Sequence, residues 1–376
     1  MRKTTQWIAV LLMLPVLLAA LSKAQAETVS RDDVKKIAVV SAAAEAAGKM
    51  KSKVKPPAAP QTPKVDIPGA AQEKPANKKA AKKAAKEKAE AASQAADEAF
   101  EQVAAMAEAG DIQAQYILGI AYYTGRQVEM DESAAVEWWR RASIGGHPEA
   151  AAYVGLAYAE GFGGMPQNRA EAERRYQRAE QDGSALANVL LGIDGYRKNT
   201  PADKAVAIAR FRTAEKQGNP QAKGFLQMIE RKGTDARLDF GEKLDWKKEA
   251  GKTSLTDLYT QAGTNAFRGN IVRQDYAAAA GWWELAAKAD NAAAQALLGT
   301  AYYTGRGVEQ DEKKAVELFK TAAARNEPLA QYMLGKAYLA GSVVQKNKEL
   351  ALKLFRAAGE AGIADAKRQA DRLERG

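Results

Sequence analysis

The sequence predicts an all-α protein, a solenoid of about seven helical-hairpin repeats. Two segments that begin at Leu118 and Leu298 share the pattern Leu-Gly-x-Ala-Tyr-Tyr-Thr-Gly-Arg, and the 180 residues that separate them equal five intervals of 36. Internal repeats of this length are typical of solenoids, in which each unit buries its apolar face against the next. An Asp or Asn recurs at intervals of 35 to 37 residues, at Asp131, Asn168, Asp203, Asp239, Asp275, Asp311 and Asn347.

The first 26 residues have the features of an export signal. Arg2 and Lys3 precede an apolar stretch at residues 7–21, and Ala-Gln-Ala at residues 24–26 fits a cleavage site. These 15 residues fall short of the length that a membrane-spanning helix needs, about 20 residues. We expect cleavage near Ala26 and a periplasmic or secreted protein; an inner-membrane anchor formed by an uncleaved signal is the alternative.

Residues 27–92 read as a disordered tether. The stretch is rich in Ala, Lys and Pro and poor in large apolar side chains, so it cannot bury enough surface to offset the entropy of ordering. It is either a solvated spacer or a loose electrostatic contact for membrane or cell-wall polymer. Composition favours helix from Lys78 to Ala107, and residues 93–109 are the predicted N-terminal capping helix.

The formal net charge of +10 is concentrated before the repeats. Residues 1–98 carry 18 basic and 10 acidic side chains, which leaves +2 for the rest of the chain. Because nucleic-acid binding needs concentrated positive charge on the folded surface, no nucleic-acid partner is expected. The absence of cysteine excludes disulfides and thiolate chemistry.

Each repeat is predicted to place small and aromatic residues at fixed positions. The recurring Asp or Asn would cap the second helix, and residues eight and eleven positions later would share one face of that helix. Six repeats have an aromatic residue at the first of these positions, namely Trp139, Tyr176, Phe211, Trp283, Phe319 and Phe355. All seven have alanine at the second: Ala142, Ala179, Ala214, Ala250, Ala286, Ala322 and Ala358.

Glycines define the first helix of each hairpin. One glycine allows close helix crossing, at Gly119, Gly155, Gly192, Gly263, Gly299 and Gly335, and another ends the helix in a left-handed turn, at Gly125, Gly161, Gly269, Gly305 and Gly341. The fourth repeat, at about 219–254, is degenerate, with Gln227 in place of the crossing glycine. A kink of the array is expected there.

This pattern of Ala, Leu-Gly, Tyr, Gly-x-Gly-Val and Asp, followed by an aromatic residue and Ala, resembles the Sel-1-like repeat over residues 110–362. The resemblance implies a right-handed α/α superhelix related to tetratricopeptide repeats, and a scaffold for protein complexes, frequently in bacterial envelopes. The implied partner is another envelope protein. Residues 363–376 would form the polar C-terminal capping helix that such arrays need.

The resemblance also implies that the first helices line a concave face. The positions three before, one after and four after each crossing glycine would then be exposed on that face. Large apolar side chains at these positions are our candidate partner-binding residues: Tyr116, Ile120, Tyr123, Val189, Tyr196, Phe267, Tyr303, Tyr332 and Leu339.

The sequence predicts no catalytic, cofactor or metal site, and we do not expect an enzyme. His147 is the one histidine, and beside Pro148 it reads as a solvated loop residue, so His-based catalysis and multi-His metal sites are unavailable. The alternative is a peptidoglycan- or polysaccharide-binding envelope protein. It could have weak hydrolase activity, since two carboxylates suffice for glycosidic hydrolysis.

Overall fold

A computed structural model describes residues 65–68, 78–234 and 244–375 of the chain. The predicted signal peptide, residues 1–26, and most of the predicted tether lie outside the described residues. Of the described residues, 65–68, 78–227 and 244–375 form one compact unit. In the described part, no helix combines the length and apolarity that crossing a bilayer requires.

The described residues contain sixteen α-helices, which confirms the all-α prediction. They are α1 Lys78–Glu108, α2 Ile112–Thr124, α3 Glu132–Ile144, α4 Pro148–Glu160, α5 Arg169–Gln181, α6 Ala185–Arg197, α7 Pro201–Lys216, α8 Pro220–Lys232, α9 Trp246–Ala250, α10 Leu255–Arg268, α11 Tyr276–Lys288, α12 Ala292–Thr304, α13 Glu312–Ala323, α14 Pro328–Ala340, α15 Lys348–Glu360 and α16 Ala364–Arg375.

Consecutive helices pair as antiparallel hairpins. The pairs α2/α3, α4/α5 and α6/α7 form repeats one to three, and α10/α11, α12/α13 and α14/α15 form repeats five to seven. The second helix of a hairpin also packs against the first helix of the next, for example α3 on α4 and α13 on α14. Each repeat therefore shares its apolar core with its neighbours, as a solenoid requires.

The caps of the second helices follow the prediction in five repeats. Asp131, Asn168, Asp275, Asp311 and Asn347 each accept a hydrogen bond from a backbone N–H in the first turn of the helix that follows.

The second helices of repeats three and four are capped by residues other than the predicted ones. The prediction for Asp203 is wrong, because Thr200 caps α7 and its hydroxyl accepts from the Asp203 N–H at 3.1 Å. Threonine precedes Pro201, which favours the first helical position, so the helix begins three residues earlier than the repeat interval suggests. Asp239 lies outside the described residues, and Asp245 caps the short helix α9.

The crossing glycines lie directly against the aromatic residues of their own hairpins. A Cβ atom on Gly155 would stand 2.6 Å from Tyr176 Cε1, and one on Gly299 would stand 2.7 Å from Phe319 Cε1. The same pairing holds for the other four crossing glycines. All six aromatic residues and all seven alanines of the second helices are buried. The spacing of glycine and aromatic residue in the sequence thus predicts a contact in each hairpin. The aromatic ring of the second helix packs into the space that the glycine leaves on the first helix.

The hairpin loops turn at left-handed residues. All five predicted loop glycines have φ between 67° and 78°, and each ends its helix as the C-cap. Repeat three lacks this glycine, and Asn199 takes the left-handed conformation there at φ 62°. Asparagine is among the few residues that tolerate this region.

A helix flanks the described array at each end. Helix α1 begins at Lys78, fifteen residues before the boundary of the predicted cap, and its Phe100, Val103 and Ala107 are buried. It packs on α2 as expected, and also on α11 of repeat five. Helix α16 packs on α15.

Repeat four changes the course of the array. Its second helix, α9, has five residues where the other second helices have twelve to sixteen. Helix α9, and also α10, the first helix of repeat five, pack against α2, the first helix of repeat one. Repeats four and five thus contact the first repeat of the array, a contact that the predicted kink did not include.

Candidate interaction surface

The nine predicted partner-binding residues fall into two groups in the structure. Ile120, Tyr123, Val189 and Tyr196 are at most 4% exposed, so the prediction that they are open to a partner is wrong. The other five are half-buried: Tyr116, Phe267, Tyr303, Tyr332 and Leu339. No contact with a partner is tested for any of them.

Helix geometry turns residues four positions after the crossing glycine toward the second helix, which buries Tyr123 and Tyr196 but leaves Phe267, Tyr303 and Leu339 half-buried. Residues i and i+4 lie on the same face of a helix, so a residue four positions after the glycine faces the second helix as the glycine does. The Tyr123 ring lies 5.2 Å from the Trp139 ring, and Phe267 lies 5.6 Å from Trp283. These side chains pack inside their own hairpins.

Repeat five covers repeat one and closes the remaining part of the predicted face there. The Arg126 guanidinium donates to the Thr253 carbonyl at 2.6 Å and also to the Gly251 carbonyl. The Gln113 and Asn265 side chains are joined by a hydrogen bond of 3.4 Å. Leu258, Tyr259 and Ala262 of α10 belong to the same buried apolar cluster as the residues of α2. Repeat one therefore has no open concave face for a partner.

His147 lies in this contact and is only 2% exposed, so the prediction of a solvated loop residue is wrong. Its Nδ1 caps α4 by accepting from the Ala150 N–H at 3.3 Å, and its ring stacks on Tyr116 at 4.3 Å. Burial lowers the pKa of His147 to about 3. The ring is therefore neutral at ordinary pH and unsuited to proton transfer there.

A polar cavity of about 30 Å³ adjoins His147, lined also by Gln113, Glu149 and Asn265. Burial raises the pKa of the Glu149 carboxyl, but its oxygens accept from the Ser184 hydroxyl at 2.6 Å and from two N–H groups that open α6. This carboxyl thus joins repeats two and three as a helix cap. Among the described residues no three His, Cys, Asp or Glu side chains are grouped to hold a metal ion.

Three of the five half-buried residues lie on repeats six and seven. Tyr303 of α12 and Tyr332 of α14 are half-buried, and the ammonium group of exposed Lys336 lies 5.7 Å from the centre of each ring. Leu339, one turn further along α14, is also half-buried. We call Tyr303, Tyr332, Lys336 and Leu339 the distal surface.

A pocket of about 220 Å³ lies between repeats five and six. Phe267, Trp283 and Leu297 supply its apolar wall, and Arg268 and Arg306 supply its charge. The sequence argument identified Phe267 but missed the two arginines, which directly precede and follow the loop glycines Gly269 and Gly305. Their position next to a loop glycine was the sequence feature that could have identified Arg268 and Arg306.

The tether contributes a segment that the sequence argument missed. Ile67 is 6% exposed and belongs to the apolar cluster of repeats six and seven, and Val65 packs against the same cluster. The available signal was a pair of β-branched apolar residues at a spacing of two, within a stretch of Ala, Lys and Pro.

Comparison with protein families matches the Sel1 repeat to five parts of the chain: residues 112–147, 148–184, 261–291, 292–327 and 328–363. These are repeats one, two, five, six and seven. Repeat three is not matched, although it forms a complete hairpin, and neither is the degenerate repeat four. No curated protein matches the chain.

Two solved structures are similar to the chain. A protective antigen of uropathogenic Escherichia coli that displays an SLR fold is 28% identical, with a TM-score of 0.31, over 73% of this chain and 59% of that one. A Sel1 repeat protein from Oxalobacter formigenes is also 28% identical, with a TM-score of 0.30, over 74% of this chain and 81% of that one. The chain spans less than two thirds of the first of these structures.

Proposed function

Because the chain is a Sel1 repeat protein, a helical scaffold of the kind that typically mediates protein interactions, we propose that it is an exported adaptor that holds another envelope protein. We assign the contact to the distal surface. Export and the envelope location rest on the pattern of residues 1–26. The tether would set the distance between the anchor point and the array.

The observation that carries the proposal is the arrangement of Tyr303, Lys336 and Tyr332. Two half-buried tyrosine rings on successive first helices each lie 5.7 Å from one ammonium group. Tyrosine offers a large contact area and a hydrogen-bonding end at a low entropic cost, which favours it at protein interfaces. Leu339 adds apolar area beside them. The corresponding face of repeat one is covered by α10, so a partner is better accommodated by repeats six and seven.

The alternative of a peptidoglycan- or polysaccharide-binding protein has less support. A glycan hydrolase needs two carboxyl groups beside the scissile bond. None of the described residues that line the pocket between repeats five and six is acidic, and its charge comes from Arg268 and Arg306. The groups that would carry this second function are thus not assembled there.

A crosslinking experiment in the producing cell tests the proposal. The full chain is compared with a Tyr303→Ala/Tyr332→Ala variant, and discrete crosslinked proteins are identified by mass spectrometry. Tyr158→Ala is the matched control, because Tyr158 is also half-buried and has the Arg175 guanidinium 5.0 Å from its ring centre, but in repeat two. Far-ultraviolet circular dichroism establishes that all variants are folded.

We expect one discrete partner to be lost from the double variant and kept by the control. Recovery of the same partner from all three proteins would move the contact away from the distal surface. Recovery of glycan fragments alone would favour the polysaccharide-binding alternative over the adaptor.

A further inference from the structure

The segment Val65–Pro68 packs on the array through two of its four side chains. Its side chains alternate: Val65 is half-buried, Asp66 is exposed, Ile67 is 6% exposed and Pro68 is exposed. Successive side chains of an extended chain point to opposite sides, so residues at a spacing of two share one face. The burial pattern is therefore that of an extended peptide docked by two apolar side chains.

The apolar cluster that receives Ile67 belongs to repeats six and seven. Its buried members include Ala296 of α12 and Leu334 of α14, and Val65 packs on it from the outside. Tyr303, Tyr332 and Leu339 border the same cluster. The docked segment and the distal surface thus share one apolar region.

From this juxtaposition we propose that repeats six and seven form a binding site for extended peptides. The peptide carries two β-branched apolar residues at a spacing of two, followed by proline, and the tether occupies the site in cis. The inference rests on the proposed function and deepens it, because it gives the chemistry of the partner segment and a means of regulation. A partner must displace Val65 and Ile67 to bind.

The strength with which the tether segment occupies the site determines how much the binding of another peptide is weakened. Covalent linkage to the array gives the segment an effective concentration of the order of 1 mM. If the cis segment itself binds with a dissociation constant of about 0.1 mM, a competing peptide is weakened about tenfold, because its apparent dissociation constant scales with one plus the ratio of the effective concentration to the dissociation constant of the cis segment. Removing the cis segment restores the intrinsic affinity.

The direct test uses a fluorescein-labelled peptide with the sequence of residues 63–70, Pro-Lys-Val-Asp-Ile-Pro-Gly-Ala. Fluorescence anisotropy measures its binding to the full chain, to a Val65→Asp/Ile67→Asp variant and to Asp66→Ala. Asp66 is exposed in the same segment, so its variant is the matched control. We expect the double variant to bind about tenfold more tightly than the wild type, and the control to equal the wild type. Equal affinities for all three proteins would overturn the inference.

Two further arms locate the site and guard against misfolding. Adding Tyr303→Ala/Tyr332→Ala to the double variant is expected to remove peptide binding; unchanged binding would overturn the proposed location. Because the chain has no cysteine, Asp66→Cys carries a single fluorophore in the otherwise wild-type protein. Its anisotropy is expected to fall when Ile67→Asp is added, and an unchanged value would show that the segment is not held by Ile67.

The outcomes separate this inference from the proposed function. If the cellular partner depends on Tyr303 and Tyr332 but the peptide never binds, the adaptor function stands and the peptide site is refuted. If the peptide binds as expected but no protein partner is recovered, the peptide site stands and the adaptor function is refuted.

Discussion

The packing of glycine against an aromatic ring in each hairpin makes a quantitative prediction for Gly299→Ala. The added Cβ would stand 2.7 Å and 2.9 Å from two atoms of the Phe319 ring and 3.3 Å from the Ala315 carbonyl oxygen. Phe319 is 1% exposed and cannot swing away. Overpacking of this kind costs about 1–3 kcal/mol of the free energy of unfolding.

Gly281→Ala is the matched control. Gly281 lies in the middle of α11, and its added Cβ would meet no atom within 4 Å. Both substitutions gain the same helix propensity, about 1 kcal/mol for Ala over Gly. We therefore expect Gly281→Ala to be about 1 kcal/mol more stable than the wild type. Gly299→Ala should be about 1 kcal/mol less stable than the wild type, taking the middle of the overpacking range.

Urea denaturation followed by circular dichroism measures both variants, and the midpoints are compared at a constant slope. The difference between the two variants isolates the overpacking, because the propensity gain cancels. A double-mutant cycle with Phe319→Leu then attributes that difference to the ring. A Gly299→Ala protein as stable as Gly281→Ala would refute the close crossing.

Three more predictions concern the caps and the contact between repeats one and five. Asp311→Ala should cost about 1 kcal/mol of stability, whereas Asp203→Ala should cost clearly less because Asp203 is not a cap; equal losses in urea denaturation would contradict this. A Gln113→Cys/Asn265→Cys variant should be crosslinked by a short bifunctional thiol reagent, because the amide ends of the longer wild-type side chains are 3.4 Å apart. Failure to crosslink, read on a non-reducing gel, would refute the contact. The His147 pKa is about 3 in the folded chain and about 6.5 when unfolded, so the unfolded state binds the proton first as the pH falls. Stability should then drop by about 1.4 kcal/mol per pH unit below 6.5, about 2.7 kcal/mol by pH 4.5, relative to His147→Gln. Parallel pH profiles of the two proteins would contradict a buried neutral ring.

The contact between repeats one and five bears on where a partner can bind. It joins the side chains of Gln113 and Asn265 and brings the Arg126 guanidinium to the Thr253 carbonyl, so the first repeat is used for intramolecular packing. Repeats six and seven keep a half-exposed aromatic surface, which borders the apolar region where Ile67 is buried. In this array, repeats with nearly identical sequences therefore have different surroundings.

The sequence alone determined the local features of this protein. The hairpin interval, the Asp311 type of cap, the crossing glycines and the left-handed turns all follow from chemistry within about twenty residues of one another. Capping involves the first turn of a helix, and a glycine and its ring belong to one hairpin. These predictions were therefore accessible without knowing how the hairpins stack.

The tertiary structure decided which of these similar faces remain open. Tyr123 and Tyr303 occupy equivalent positions in nearly identical segments, yet the first is buried and the second is half-exposed. Helices α9 and α10 pack on α2, the helix that carries Tyr123, whereas at repeats six and seven Ile67 joins the apolar cluster and Tyr303 stays half-exposed. Both contacts join residues more than a hundred positions apart. Their geometry accumulates from the small rotation at each repeat, which no local pattern specifies.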